Sequence, residues 1–266
     1  MWDLRLKGKV AIITGAGSGI GRAAAIAFAK EGAKIVIAGR RLEPLNETVR
    51  LVKEVDGEAL PVMADVSKAQ DAKKIVEESV KTFGRLDVLY NNAGMDASGS
   101  IIDVEEDLWD FTIDVNLKGT FLCSKYAVPE IKRQRGGSII NTASILGLLG
   151  LPDYVAYCTA KGGVINLTRA MVCDCGPIGI RVNCICPGAI CTPIMEDYFK
   201  SSGDPERLRG FFKKLYPIGR LGTPEDVANV AVFLASDESS FVNGAIVVVD
   251  GGITAQNPEA HWPKFW

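Results

Sequence analysis

The chain has 266 residues, 47% of them apolar and 23% charged, with 30 basic and 32 acidic side chains for a net charge of −2. That balance fits a globular protein with a large core; it excludes a disordered tail and offers no basic surface to nucleic acid or an anionic membrane. Residues 1–5 lack the apolar run of a signal peptide and no later stretch reaches the length of a membrane span, so a cytoplasmic protein with reduced cysteines is expected.

In chain order, a first strand is predicted at 9–13 and a helix at 19–31, joined by Thr14-Gly15-Ala16-Gly17-Ser18-Gly19-Ile20-Gly21. Glycines let a pyrophosphate approach the backbone, and the N–H groups and dipole of a helix start attract its charge. Any tight strand-to-helix corner can use glycine; the place of this one, between the first strand and the first helix, points to a nucleotide. A second strand at 34–38 runs into Gly39-Arg40-Arg41. Beyond it come a helix at 44–55, a strand at 59–63, a helix at 68–83 and a strand at 87–90. Further strands are predicted at 138–141, 181–185 and 245–249, with a helix at 157–171. Thr223-Pro224-Glu225-Asp226 has the cap, proline and acids of a helix start. The least regular stretch, 193–222, is polar and carries Tyr198, Phe199, Phe211, Phe212 and Tyr216; it reads as a substrate lid or a surface excursion.

Near-continuous apolar strands alternating with helices predict one α/β domain over 1–266, a doubly wound, seven-stranded parallel sheet with helices on both faces, Rossmann-like in form. No repeat or linker divides it.

Tyr157 and Lys161 stand at i and i+4, one above the other on a helix face. A fixed cation is expected to draw a phenol from its usual pKa near 10 toward neutrality, giving one residue for both proton donation and proton abstraction. Ser144 comes after the fifth strand at its carboxyl end, where such sheets place ligands; its hydroxyl orients a substrate oxygen or caps a turn. Asn116 is a poor residue for the middle of a helix.

The spacing Thr-Gly-x-x-x-Gly-x-Gly, with Asn91-Asn92-Ala93-Gly94 and Tyr157-x-x-x-Lys161 in order, resembles the short-chain dehydrogenase/reductase family over about residues 8–252. The resemblance implies a catalytic tetrad of Asn116, Ser144, Tyr157 and Lys161. Asn116 would hold a water linking the lysine to solvent, and Lys161 would hold the nicotinamide ribose. It implies cofactor contacts from Gly15, Ser18, Gly19, Ile20 and Gly21 at the phosphates, Asp65 and Val66 at the adenine, and Asn92, Ala93 and Gly94 along the cleft. Pro187, Ile190 and Thr192 would meet the carboxamide. It also implies a homotetramer.

Cofactor choice is set by charge after the second strand. An acid there would accept hydrogen bonds from the ribose diol of NAD; here Arg40 stands instead and favours the 2′-phosphate of NADP, although Ser18 is not the basic residue some NADP-preferring relatives carry. NADP is therefore expected, with NAD as the alternative.

The seven cysteines include Cys173, Cys175, Cys184, Cys186 and Cys191, whose Cys-x-Cys spacing is not that of a zinc site; packing in the core or cleft is expected, and no metal. His261 is the only histidine, which excludes a Ser-His-Asp triad in the body of the chain and leaves no activator for a cysteine nucleophile. The tail, 253–266, ends in an aromatic run read as a subunit contact. The expected function is NADP-dependent interconversion of a secondary alcohol and a ketone. A NAD-dependent dehydrogenase of a sugar or cyclic alcohol is one alternative, and a catalytically silent cofactor sensor is another. A methyltransferase also uses a glycine turn but is disfavoured by the ordered motifs. Ile145, Leu146, Leu148, Leu149 and Leu151 after Ser144 suggest an apolar or ring-shaped substrate, or else lid packing.

Overall fold

Strands with no polar alternation must be covered on both faces, and the chain satisfies that demand with seven parallel strands in one sheet. The computed structural model describes residues 4–257. The strands are β1 (Val10–Thr14), β2 (Lys34–Gly39), β3 (Glu58–Met63), β4 (Val88–Asn91), β5 (Gly137–Thr142), β6 (Ile180–Pro187) and β7 (Ile246–Val249). Their order is β3-β2-β1-β4-β5-β6-β7. The chain winds outward from β1 to β3, then crosses back to place β4 on the other side of β1. The reversal leaves a crevice at the carboxyl ends of β1 and β4, where ligands of such sheets bind.

The helices are α1 (Gly19–Lys30), α2 (Leu42–Lys53), α3 (Ala69–Phe83), α4 (Glu106–Ile113), α5 (Gly119–Arg133), α6 (Val155–Cys175), α7 (Pro193–Ser201), α8 (Pro205–Leu215) and α9 (Pro224–Ala235). Strand side chains alternate between two cores. Ala11, Ile13, Ile35 and Ile37 pack with Phe28 of α1 and Val227 and Ala231 of α9. Ile12, Val36, Leu89 and Ile139 face the other way, toward Ile75 of α3, Leu122 of α5 and Met171 of α6. No helix among the described residues is long and apolar enough to cross a membrane.

Helix α9 starts as its sequence predicts: Thr223 Oγ1 accepts from Asp226 N, the Asp226 carboxylate accepts from Thr223 N at 2.8 Å, and Pro224 occupies the first turn. Stretch 193–222 departs from its expected irregularity, because it holds the two helices α7 and α8. Each begins with a proline behind its own cap, Thr192 for α7 and Asp204 for α8. Their scattered aromatics form a small core of Phe199, Tyr216 and Leu221, with the Phe199 and Phe212 rings 5.5 Å apart. Residues 258–266, which carry most of the aromatic tail and its expected subunit contact, lie outside the described residues; before them, Gln256 Nε2 donates to Leu215 O at 2.7 Å.

A buried polar network crosses the middle of the sheet. Asn91 Nδ2 donates to Asn141 Oδ1 at 2.9 Å and to Ser124 Oγ at 3.0 Å, while Asn141 Nδ2 donates to Thr168 Oγ1 at 2.9 Å. It joins β4 and β5 to α5 and α6. Asn141→Ala orphans a buried Asn91 donor and is expected to cost roughly 1–3 kcal/mol, read as a lower midpoint in urea unfolding.

Candidate active site

The crevice begins at the glycine turn, whose shape is imposed from both sides. Thr14 Oγ1 accepts from the backbone N–H groups of Asn92 at 3.1 Å and Ala93 at 3.0 Å, and Asn92 Nδ2 donates to Thr14 O at 3.1 Å. The turn is thereby stitched to the segment after β4. A Cβ on Gly15 would lie 2.8 Å from Ala93 Cα, and one on Gly21 would lie 2.4 Å from Gly15 O. Behind the turn, Thr48 Oγ1 donates to Ala16 O at 2.9 Å and Arg22 Nε donates to Thr48 Oγ1 at 3.1 Å. This buttress from α1 and α2 has no signal in the glycine motif itself. Ser18, at the head of α1, makes no side-chain cap bond, and the first turn holds no acid. The helix N-terminus is an electropositive end suited to a phosphate.

A cavity of about 520 Å³ runs from this turn to α6. Of the residues singled out from sequence, Gly15, Ser18, Gly19, Ile20, Asn92, Gly94, Asn116, Ser144, Tyr157, Lys161, Pro187, Ile190 and Thr192 form its wall. The others stand apart. Gly21 and Ala93 back the turn. Val66 is buried under Gly119. The Asp65 carboxylate accepts from Ser67 N at 3.1 Å and Ser67 Oγ at 2.7 Å. Arg40 is exposed beyond β2, its guanidinium 6.0 Å from the centre of the Phe111 ring.

At the other end, Lys161 is buried on α6 with Nζ donating to Thr142 O at 3.0 Å and lying 5.5 Å from the Tyr157 ring centre. Ser144 takes the capping role its position allows: its Oγ accepts from Leu146 N at 3.1 Å, closing the 3₁₀ turn Ile145–Gly147. Asn116 sits in a π-helical turn, Asp114–Lys118, between α4 and α5. Such turns occur where a helix is deformed for a purpose. Here Asn116 Nδ2 donates to Met95 O at 3.1 Å and its Oδ1 accepts from Met95 N at 3.2 Å, clamping the segment after β4.

Burial governs the ionisation of this end. It pushes the Tyr157 phenol well above its ordinary range, with the Asp96 charge adding to the push and the Ser144 hydroxyl partly opposing it. It pulls the Lys161 ammonium down to about 8. In the chain itself, desolvation outweighs an ammonium whose hydrogen bond goes to Thr142. Asp96, Met95 and Tyr154 also line the cavity, and sequence reasoning passed over them because they only flank motifs.

The cysteine cluster divides. Cys184 and Cys186 are buried on β6, with the Cys184 thiol donating to Ile185 O at 3.8 Å, and Cys175 is buried, whereas Cys173 and Cys191 are exposed rather than packed. The cause is geometric: i and i+2 share a face on a strand and diverge on a helix. Among the described residues no group of three or more His, Cys, Asp or Glu could hold a metal ion.

Comparison with known proteins extends these findings. A family model described as enoyl-(acyl carrier protein) reductase matches residues 15–254. The chain is 44% identical over 252 residues to an uncharacterized oxidoreductase of Thermotoga maritima, covering 95% of this chain and all of that one. It is 41% identical to the meso-2,3-butanediol dehydrogenase of Serratia marcescens, covering 96% of this chain and 98% of that one. A crystal structure of a short-chain type dehydrogenase/reductase from Mycobacterium marinum superposes with a TM-score of 0.89 at 32% identity, covering 96% of this chain and 98% of that one.

Since a Cβ at Gly21 meets backbone, Gly21→Ala should distort the turn. The expected result is about tenfold weaker binding of reduced nicotinamide dinucleotide, measured by fluorescence titration.

Proposed function

The chain belongs to the short-chain dehydrogenase/reductase family, and we propose from that premise that it moves a hydride between NADP(H) and a secondary alcohol or ketone, with Tyr157 as acid and base. Membership makes it an NAD(P)-dependent oxidoreductase. The observation that carries the finer reading is one cavity with a helix N-terminus suited to phosphate at one end and Ser144, Tyr157 and Lys161 at the other.

The residues present suit a dinucleotide. Gly15 and Gly21 leave no room for side chains, so the turn keeps its backbone against the crevice, and a Cβ on Gly94 would fall 2.8 Å from Asn116 Oδ1 and 3.3 Å from Lys161 Nζ. Gly15, Ser18, Gly19, Ile20 and Gly21 would hold the pyrophosphate, Asp65 and Val66 the adenine, and Asn92, Ala93, Gly94, Pro187, Ile190 and Thr192 the nicotinamide half. A bound nicotinamide supplies or accepts the hydride.

The chain's own residues handle the oxygen and its proton. With its lone pair engaged by Leu146 N–H, the Ser144 hydroxyl can donate toward a substrate carbonyl oxygen and polarise it. Tyr157 delivers its proton to that oxygen in reduction and removes it in oxidation. A phenol held protonated by burial suits the reductive direction across neutral pH, and oxidation should gain rate as pH rises. Lys161, fixed by Thr142 O, is placed to grip the ribose and to stabilise phenolate when the proton leaves. Asn116 acts as a positioning residue, holding the Gly94 segment through Met95.

Helices α7 and α8 supply Ile194, Met195, Tyr198 and Phe212 to the cavity wall, which supports a lid at 193–222. The edge strand β7 exposes Val248, and Phe241 beside it is exposed; an apolar edge of this kind supports the homotetramer expected of the family. Seven free cysteines favour a reducing, cytoplasmic setting.

Tyr157→Phe is expected to lower kcat by about a hundredfold or more while cofactor affinity stays within a few-fold. Near-normal turnover in that variant would remove Tyr157 from proton transfer. Arg40 is exposed just past the end of β2, with no acid in its place to repel a 2′-phosphate, which supports NADP. Arg40→Ala should reduce the kcat/KM ratio of NADPH to NADH by about tenfold; a clear NADH preference in the unaltered enzyme would reverse the assignment.

A further inference from the structure

Asp96 brings a carboxylate to a cavity wall that is otherwise mostly apolar, with Ile145, Leu146, Leu149 and Leu151 on the same wall. Its position is held from both sides. Upstream, Asn116 clamps both the N–H and the C=O of Met95. Downstream, Gly99 N donates to Asp153 O at 2.6 Å and Val155 N donates to Gly99 O at 3.3 Å, a short parallel bridge to the start of α6. Two anchors on so short a segment fix Asp96 against the first turn of α6. Its charge accordingly reaches Tyr154, just before that helix, and Tyr157 and Lys161 on it.

The carboxylate has acceptor capacity to spare. It is exposed, with solvent reaching it where it stands on the cavity wall. Among the described residues no lysine or arginine forms an ion pair with it; the adjacent Ala97 N–H and the Lys161 charge only favour its ionised form. A carboxylate accepts at about four lone-pair sites. A substrate presenting only hydrocarbon beside its reacting carbon would strip water from this charge and return nothing. Among the described residues the only other ionisable ammonium or carboxylate on the wall is Lys161, so the two charges cancel, and a cationic substrate meets repulsion from the lysine. A neutral molecule with a hydroxyl donor answers both conditions.

We propose that Asp96 is a specificity-determining residue that accepts a hydrogen bond from a second hydroxyl of the substrate, so that the enzyme selects vicinal diols and α-hydroxyketones over simple alcohols and ketones. The inference rests on the Tyr157 reading above for the reaction it selects. It also gives Asp96 an electrostatic influence on the proton step. Burial does most to hold the phenol protonated, and the Asp96 carboxylate adds to it, alongside smaller contributions from Cys158 and Tyr154 and against the Ser144 hydroxyl. Tyr154 in turn feels Asp96, Tyr198 of α7 and Asp153.

The test uses the full chain with its preferred nicotinamide cofactor and compares kcat/KM for butane-2,3-diol with that for butan-2-ol. The unaltered enzyme is expected to favour the diol by about tenfold or more. Asp96→Ala should collapse that ratio by about tenfold, and Asp96→Asn, which keeps the shape but loses the charge-assisted bond, should lower it by less. Removing the charge should also move the acid limb of the oxidative kcat/KM profile to lower pH in Asp96→Asn, a displacement that loss of packing alone would not give. A diol ratio near one in the unaltered enzyme, or an unchanged ratio in both variants, overturns the proposal. Should Asp96→Ala fail to fold, the isosteric Asp96→Asn decides by the same ratio and profile. The two readings fail separately: turnover surviving in Tyr157→Phe strikes the proton chemistry, whereas a dead Tyr157→Phe with an unmoved diol ratio strikes only Asp96.

Discussion

The Thr14 hydroxyl sits where the sheet reverses direction, accepting two backbone N–H groups from the far side of the reversal. Strands β1 and β4 are neighbours in the sheet, but beyond their carboxyl ends the two segments diverge: one enters a helix, the other enters the cleft wall. Without a tie, the mouth between them would be set only by loops. The threonine and the answering bond from Asn92 Nδ2 fix its width, and that closeness dictates the glycines at 15 and 21, since nothing larger fits against the tied backbone. The helix dipole at one end and the tyrosine at the other are useful together only because this spacing is held.

The chemical end is a contest between burial and charge. Tyr157 and Lys161 are each driven toward their neutral forms by the same desolvation, and each has a partner that acts on the result: Ser144 on the phenol, Thr142 on the ammonium. Asp96 acts on both, raising the phenol and supporting the lysine charge. The proton balance of the site is thus set by three groups and not by an isolated tyrosine and lysine pair. The buried network of Asn91, Asn141 and Thr168 ties together the sheet beneath, although Asn91 Oδ1 finds no partner among the described residues.

Most strands were legible as short apolar runs, a pattern that a sheet covered on both sides satisfies, while β6 reads as a strand despite Arg181 and Asn183 alternating into it. The α9 cap was legible because threonine, proline and acid occur in the order the first turn requires. Helices α7 and α8 were hidden by their aromatics, whose partners lie across the pair and not at regular intervals along either helix; the prolines behind Thr192 and Asp204 were the signal available. At the site, motif order placed Ser144, Tyr157 and Lys161 on one cavity. It could not show that Tyr157 is raised, because desolvation depends on the surrounding atoms and leaves no mark in spacing. Asp96 and the Thr48–Arg22 buttress were silent for a related reason: each reads as an ordinary polar residue until the fold brings its neighbours.

The excursion that carries α7 and α8 leaves and rejoins the body of the protein at one place. Cys191 N donates to Gly222 O and Gly222 N donates to Ala189 O, while Ala189 N donates to the Tyr216 hydroxyl. Both ends are therefore pinned to each other at the foot of the cavity, and inside the stretch each helix starts on its own cap, while Gln256 closes the end of α8. Lengthening or shortening a stretch closed in this way alters the chain entropy only slowly and leaves its attachment points where they were. The roof of the cavity is accordingly the part of this molecule that can be rebuilt for a differently shaped molecule without disturbing a single bond of the sheet.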